Sequence, residues 1–99
     1  MYIYNVTINI DAIAHDEWLK WMREVHIPDV MSTGCFVDSR MLKILNVEDE
    51  GTTYSVQYTF LNMSDIEEYK AKHGPRLQKD ALDKFKDKFV AFRTLLEIV

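Results

Sequence analysis

The sequence predicts an α+β fold, a ferredoxin-like β-α-β-β-α-β sandwich with one four-stranded antiparallel sheet in spatial order 4-1-3-2 and its helices on one face. Two observations predict it. Stretches of period two at residues 2–10, 52–61 and 90–98, with a further β-rich run before Gly51, alternate with two stretches of helical period. Right-handed crossovers then restrict the strand order. The 99 residues read as a single domain, 1–99. A domain of that length buries only roughly 60–65% of its unfolded surface, so association with a second copy would enlarge a thin core.

Strand one is carried by Tyr2, Tyr4, Val6, Ile8 and Ile10 on one face and Ile3, Asn5, Thr7 and Asn9 on the other. Asp11 offers an N-cap, and Asp16 and Glu17 suit the positive end of the helix that follows. At about 100° per residue, Ala14, Trp18, Trp21 and Val25 share a buried stripe flanked by Met22. The helix is expected to end or kink at His26-Ile27, because the residue before a proline is pushed out of the α region. Pro28 then opens a short helix, and Gly34 closes it.

Strand two is expected from about Cys35 to Val47, with a hairpin turn at Glu48-Asp-Glu-Gly51. Strand three sets Tyr54, Val56, Tyr58 and Phe60 against Thr53, Ser55, Gln57 and Thr59. Ser64-Asp-Ile-Glu67 reads as a capping box. The helix it opens presents Ile66, Tyr69 and His73, and beyond Gly74-Pro75 the apolar set Leu77, Ala81, Leu82, Phe85 and Phe89 is rotated by about 100°, which indicates two helical segments. In strand four Val90, Phe92, Thr94, Leu96 and Ile98 oppose Ala91, Arg93, Leu95 and Glu97, the first set being expected under the helices.

Composition excludes several classes. Hydrophobic residues at 47% and charged residues at 28% suit an ordinary globular chain. A net charge of -4 without a Lys/Arg run argues against nucleic acid. No apolar stretch approaches the ~20 residues of a membrane span. One cysteine forms no internal disulfide, and Met1-Tyr-Ile-Tyr-Asn lacks the pattern of a secretory leader, so the expected location is the cytoplasm. His15, His26, His73 and Cys35 show no metal-ligand spacing, and no phosphate loop or nucleophile elbow occurs; neither metal nor cofactor is expected.

The open sheet face carries central residues that are polar but uncharged: Asn5, Thr7, Asn9, Thr53, Ser55, Gln57 and Thr59. Faces left to water more often carry charges that discourage pairing. Two such faces packed together would make a dimeric α/β barrel, so a homodimer is expected. His26, at the proline-induced break, is the weak catalytic candidate; its alternative role is to cap the carbonyls of the helix end. Trp18 and Trp21 read first as core. Strand two alternates too irregularly to decide whether Arg40 or Lys43 points inward.

Tyr4-Asn-Val-Thr7, Trp18-Leu-Lys-Trp-Met22, His26-Ile-Pro-Asp-Val-Met-Ser-Thr-Gly34, Tyr54-Ser-Val-Gln-Tyr58 and Phe92-Arg-Thr-Leu-Leu96 together resemble the small bacterial proteins grouped as domain of unknown function 4286. The resemblance covers essentially the whole chain. It implies a ferredoxin-like domain of the dimeric α/β-barrel kind and no established activity. More distantly, the layout is similar to antibiotic-biosynthesis-type monooxygenases and EthD-like proteins, some of which place a proline shortly after a histidine, as His26 and Pro28 do.

The expected function is that of a dimeric barrel that binds a small molecule or acts as a regulatory module, with a pocket near Trp18, Met22, His26, Arg40 and Tyr58. One alternative is a cofactor-independent monooxygenase or isomerase acting on a small aromatic or enolic substrate through His26. Another is an interaction module without a cavity.

Overall fold

In the computed structural model, which describes residues 1–46 and 50–99, the chain forms a four-stranded antiparallel sheet in the order β2-β3-β1-β4. The strands are β1 (Tyr2–Ile10), β2 (Asp38–Lys43), β3 (Thr52–Phe60) and β4 (Phe89–Glu97). Among the described residues the α-helices α1 (His15–Trp21), α2 (Ile27–Ser32), α3 (Met63–Lys72) and α4 (Gly74–Lys84) belong to the two crossovers. This is the predicted ferredoxin-like arrangement.

β1 occupies the centre because it is apolar on its helix side and can satisfy its polar residues on the other. Tyr4, Ile8 and Ile10 are buried opposite Tyr58, Tyr54 and Thr52 of β3. Tyr54, Val56, Tyr58 and Phe60 are buried on the same side, as their alternation predicts. Gly51, at φ 81°, leads into β3 with a backbone so close to β1 that a Cβ would stand 2.4 Å from the Ile10 carbonyl oxygen; only glycine fits.

The first crossover departs from expectation. Asp11 accepts a hydrogen bond from the Ile13 N–H at 3.2 Å and so caps a single 3-10 turn, Ala12–Ala14, ahead of α1. The helix then does not end before Pro28. It widens into a π turn over Met22–His26, closed by the Ile27 N–H on the Met22 carbonyl, and continues as α2 with Pro28 in its first turn. A proline ring collides with the carbonyl four residues back in a regular α-helix. A wider turn ahead of it relieves that collision while the chain stays right-handed helical. Gly34, at φ 79°, follows α2 as predicted.

That π turn also corrects the buried stripe. Ala14, Trp18, Met22 and Val30 are buried and His26 is half-buried, whereas Val25 is 43% exposed and Trp21 lies half-buried to one side. In an α-helix each four-residue step overshoots by about 40°. The π turn takes that drift back, and a four-residue row stays over the sheet from Ala14 to Val30.

Three further expectations need correction. β2 is shorter than Cys35 to Val47: Cys35 and Phe36 enter the core instead, where the Phe36 ring packs on Tyr4, Tyr58 and Tyr69. Val47, Glu48 and Asp49 lie outside the described residues. The capping box is Asn62 with Asp65, not Ser64 with Glu67: the Asn62 side chain accepts from the Asp65 N–H, and the Asp65 carboxylate accepts from the Asn62 N–H at 3.0 Å. Both pairs fit the same grammar, and the one nearer the end of β3 starts the helix.

The third correction reverses the facing of β4. Phe89 opens β4, opposite Ile10, and does not continue the helical stripe of α4; with Ala91 opposite Ile8 and Arg93 opposite Val6, Phe89, Ala91 and Arg93 lie on the helix side. Val90, Phe92 and Leu96 point to the open face, 70%, 64% and 41% exposed. β4 is apolar on both faces, and alternation alone does not choose between them. Its register is set at its start, where the Asp11 N–H donates to the Lys88 carbonyl at 2.8 Å and Asp87 turns the chain at φ 63°.

Candidate functional site

A cavity of about 210 Å³ lies between the sheet and the helices. β1, β3 and β4 supply its floor through Tyr4, Val6, Ile8, Val56, Tyr58, Ala91 and Arg93. The row Trp18, Met22, His26 and Val30 forms one wall, and Tyr69, Leu77, Gln78 and Ala81 form the other. The sequence specifies this space by pairing small Ala81 and Ala91 with large aromatics, and by the π turn that keeps His26 aimed at the sheet. Most of the lining is apolar, with a few converging polar groups, as ligand pockets generally are.

Of the five residues expected at the site, Trp18, Met22, His26 and Tyr58 line the cavity. Arg40 does not. It stands opposite Gln57 on the open face, where its Nε donates to Gln57 Oε1 at 3.0 Å. The strand-two ambiguity is thereby resolved by register: Ser39 and Met41 lean towards the core and Arg40 away from it. Sequence reasoning missed Tyr4, Tyr69, Gln78 and, above all, Arg93. The signal for Arg93 was present, one charge in the set Phe89, Ala91, Arg93, Leu95, but it depended on the facing of β4.

The electrostatics of the lining follow from burial. The His26 ring stacks on Trp21 with centroids 4.8 Å apart, and Trp21 meets Phe85 edge-on. Desolvation pulls the His26 pKa below its ordinary value; Asp29 and Asp80 pull upward without offsetting it, and Arg93 adds to the depression. His26 is therefore a neutral imidazole at pH 7. The helical run continues through His26 into α2, so the free carbonyls of a first-helix end that the expected capping role would need are not presented there. Burial raises the pKa of Tyr58, Tyr69 and Tyr4, and for Tyr4 the positive charge of Arg93 draws it partly back. All three phenols stay protonated and available as donors.

Among the described residues no three His, Cys, Asp or Glu side chains come together to hold a metal, and no helix is long and apolar enough to cross a membrane. Cys35 is buried, and desolvation raises its thiol pKa, so it is a packing residue and not an activated nucleophile. His15 bridges Asp16 (2.9 Å) and the Tyr54 hydroxyl (2.6 Å), fastening the start of α1 to β3 away from the cavity.

The open face is an ordered polar surface. Arg40 donates to Gln57, Gln57 to Ser55 at 3.2 Å, Ser55 to Asn5 at 2.5 Å, and Asn5 to Thr7 at 3.0 Å. This ladder crosses three strands, and Asn5 and Thr59 are buried within the face even in a single chain. The exposed Val90, Phe92 and Leu96 flank it along β4.

A family model described as a domain of unknown function, DUF4286, matches residues 1–99. No curated protein matches the sequence. Among solved structures, the chain is similar to an ethyl tert-butyl ether D (EthD) family protein from Bacillus halodurans, with TM-score 0.69 and 12% identity over 100% of both chains. It is similar to a dimeric ferredoxin-like protein from an uncultured marine organism (TM-score 0.69, 15% identity, 99% of this chain and 96% of that one). A "putative antibiotic biosynthesis monooxygenase" from Deinococcus radiodurans gives 0.69 and 14% over 100% and 93%. At such identities the likeness shows the fold alone.

Proposed function

The chain belongs, over residues 1–99, to the DUF4286 family, and from the cavity beneath its helices we propose that this single-domain member is a small-molecule-binding module that acts as a homodimer. The observation that carries the proposal is the 210 Å³ pocket itself, partly open to solvent, lined mostly by apolar side chains and reached by His26, Tyr58, Tyr69, Gln78 and Arg93. A core that needed only stability would have closed over such a volume, since cavities destabilise.

A thermal-shift screen over small aromatic, enolic and aliphatic metabolites tests it. A ligand at 100 times its Kd adds about 2.7 kcal/mol. At about 4–8 °C per kcal/mol for a domain of this size, the melting point rises by about 10 °C or more. No shift across a broad library sinks the binding reading and leaves an interaction module.

The homodimer is supported by the open face. Its neutral hydrogen-bonded ladder, the exposed apolar side chains of β4 and the thin core of a short chain all suit a matching surface on a second copy, and one similar structure is a dimeric protein of this fold. Light scattering after gel filtration should give twice the chain mass, and Phe92→Glu, which places a charge on that face, should give one. A monomer mass for the wild-type protein at micromolar concentration contradicts the dimer.

A second reading is favoured by one observation, the neutral His26 facing the cavity. A neutral imidazole there can accept a proton from a phenol or enol, the step a cofactor-independent oxygenase or isomerase requires. With a substrate in hand, His26→Gln should abolish turnover while leaving ligand binding; unchanged turnover removes His26 from the chemistry.

A further inference from the structure

We infer that the ligand is a small carboxylic acid, one ring bearing a single carboxylate, with the ring in the inner cavity and the carboxylate against Arg93. The inference deepens the small-molecule reading and rests on it.

Arg93 is the single charged side chain in the cavity lining, and among the described residues no carboxylate lies within ion-pair distance of it. On the helices Lys72, Arg76, Lys79 and Lys84 have acidic partners, whereas the exposed Lys20, Arg23 and Lys70 have none among the described residues. Arg93 is exposed, so its lack of a partner is ordinary; its place on the wall of a largely apolar cavity is what suits its planar fork of donors to a carboxylate.

The position of Arg93 sharpens this. A second, outer cavity of about 280 Å³ abuts the first, and Tyr4, Tyr69, Gln78 and Arg93 line both. These four side chains therefore form a polar partition between an apolar inner chamber and an outer mouth. Lys70 and the start of α4 at Gly74-Pro75 flank that mouth, and the first turn of α4 carries no acidic residue that would answer its positive end. An anion arriving from outside meets favourable charge first, then hydrogen-bond donors, then apolar wall.

Size and charge set the class. A dry cavity of about 150 Å³ accommodates benzene, so 210 Å³ takes one ring with a short substituent. One guanidinium backed by neutral phenols and an amide suits a single negative charge, and a phosphate dianion would meet repulsion from a chain of net charge -4.

Calorimetric or NMR titration with benzoate and phenylacetate against benzamide and phenylacetamide separates charge from shape. On the wild-type protein the acids should bind at least about tenfold more tightly than the amides. Arg93→Gln should bring that ratio near one, while Arg93→Lys, which keeps the charge, should retain most of it and guards against a folding artefact in the first variant. Acids and amides binding equally, or a ratio that survives Arg93→Gln, overturns the carboxylate assignment while leaving a pocket. Binding of neither probe also overturns it, and the broad screen decides separately whether the cavity holds anything.

Discussion

His26 shows how a single position changes meaning between sequence and structure. Its place before Ile27-Pro28 suggests a helix end and a capping imidazole; in the folded chain it lies inside a continuous helical run, stacked on Trp21 and lining a cavity. Its depressed pKa has a stability consequence. The unfolded chain protonates His26 near its ordinary value, whereas the folded chain resists, because burial, reinforced by Arg93, outweighs Asp29 and Asp80. Protonation therefore favours unfolding. The contribution of His26 is fully present above the unfolded value and is lost as pH falls through it towards the lower folded one. Urea midpoints measured from about pH 7.5 down to about pH 5.5 should fall more steeply for the wild-type protein than for His26→Gln. Every other ionisable group is common to the two proteins, so parallel curves would show that His26 is not buried as described.

At the scale of elements, what was legible in the chain depended on whether one signal or two competed for the same residues. β1 and β3 were legible to the residue on their helix side, because Tyr4, Ile8, Tyr54, Val56 and Tyr58 alternate with residues that are nearly all polar. β4 was not: Val90, Phe92 and Leu96 are as apolar as Phe89, Ala91 and Leu95, and its facing is decided by the turn at Asp87, a tertiary fact. The site inherited that division. Trp18, Met22, His26 and Tyr58 sit on elements whose pattern was clear, while Arg93 sits on the strand whose pattern was not. The same competition arose at the start of α3, between Ser64-Asp-Ile-Glu67 and Asn62-Met-Ser-Asp65. Since Asn62 holds the cap, Asn62→Ala should cost about 1 kcal/mol, lowering the melting point by about 4–8 °C. Ser64→Ala should stay within about 0.5 kcal/mol. The reverse order in a thermal melt would restore the later cap.

The whole molecule has two surfaces of different character on one sheet. On the helix side, an aromatic core built from Tyr4, Trp18, Phe36, Tyr58 and Tyr69 stops short of closing and leaves a chamber edged by Arg93 and His26. On the open side, the ladder from Arg40 to Thr7 and the exposed β4 side chains suit a second copy of the chain. Ligand bound in the chamber would touch both crossovers and the sheet floor at once, whereas ligand bound between two sheets would touch Arg40, Gln57 and Asn5. Ala91, on the cavity floor, distinguishes the two, because a larger side chain there fills the chamber and leaves the open face unchanged. The most direct test is the thermal shift produced by a screened ligand on Ala91→Leu beside the wild-type protein. The variant's own stability should lie within about 1 kcal/mol of wild type and its ligand-induced shift should be gone; a shift retained in full would place the ligand elsewhere and contradict the chamber as the binding site.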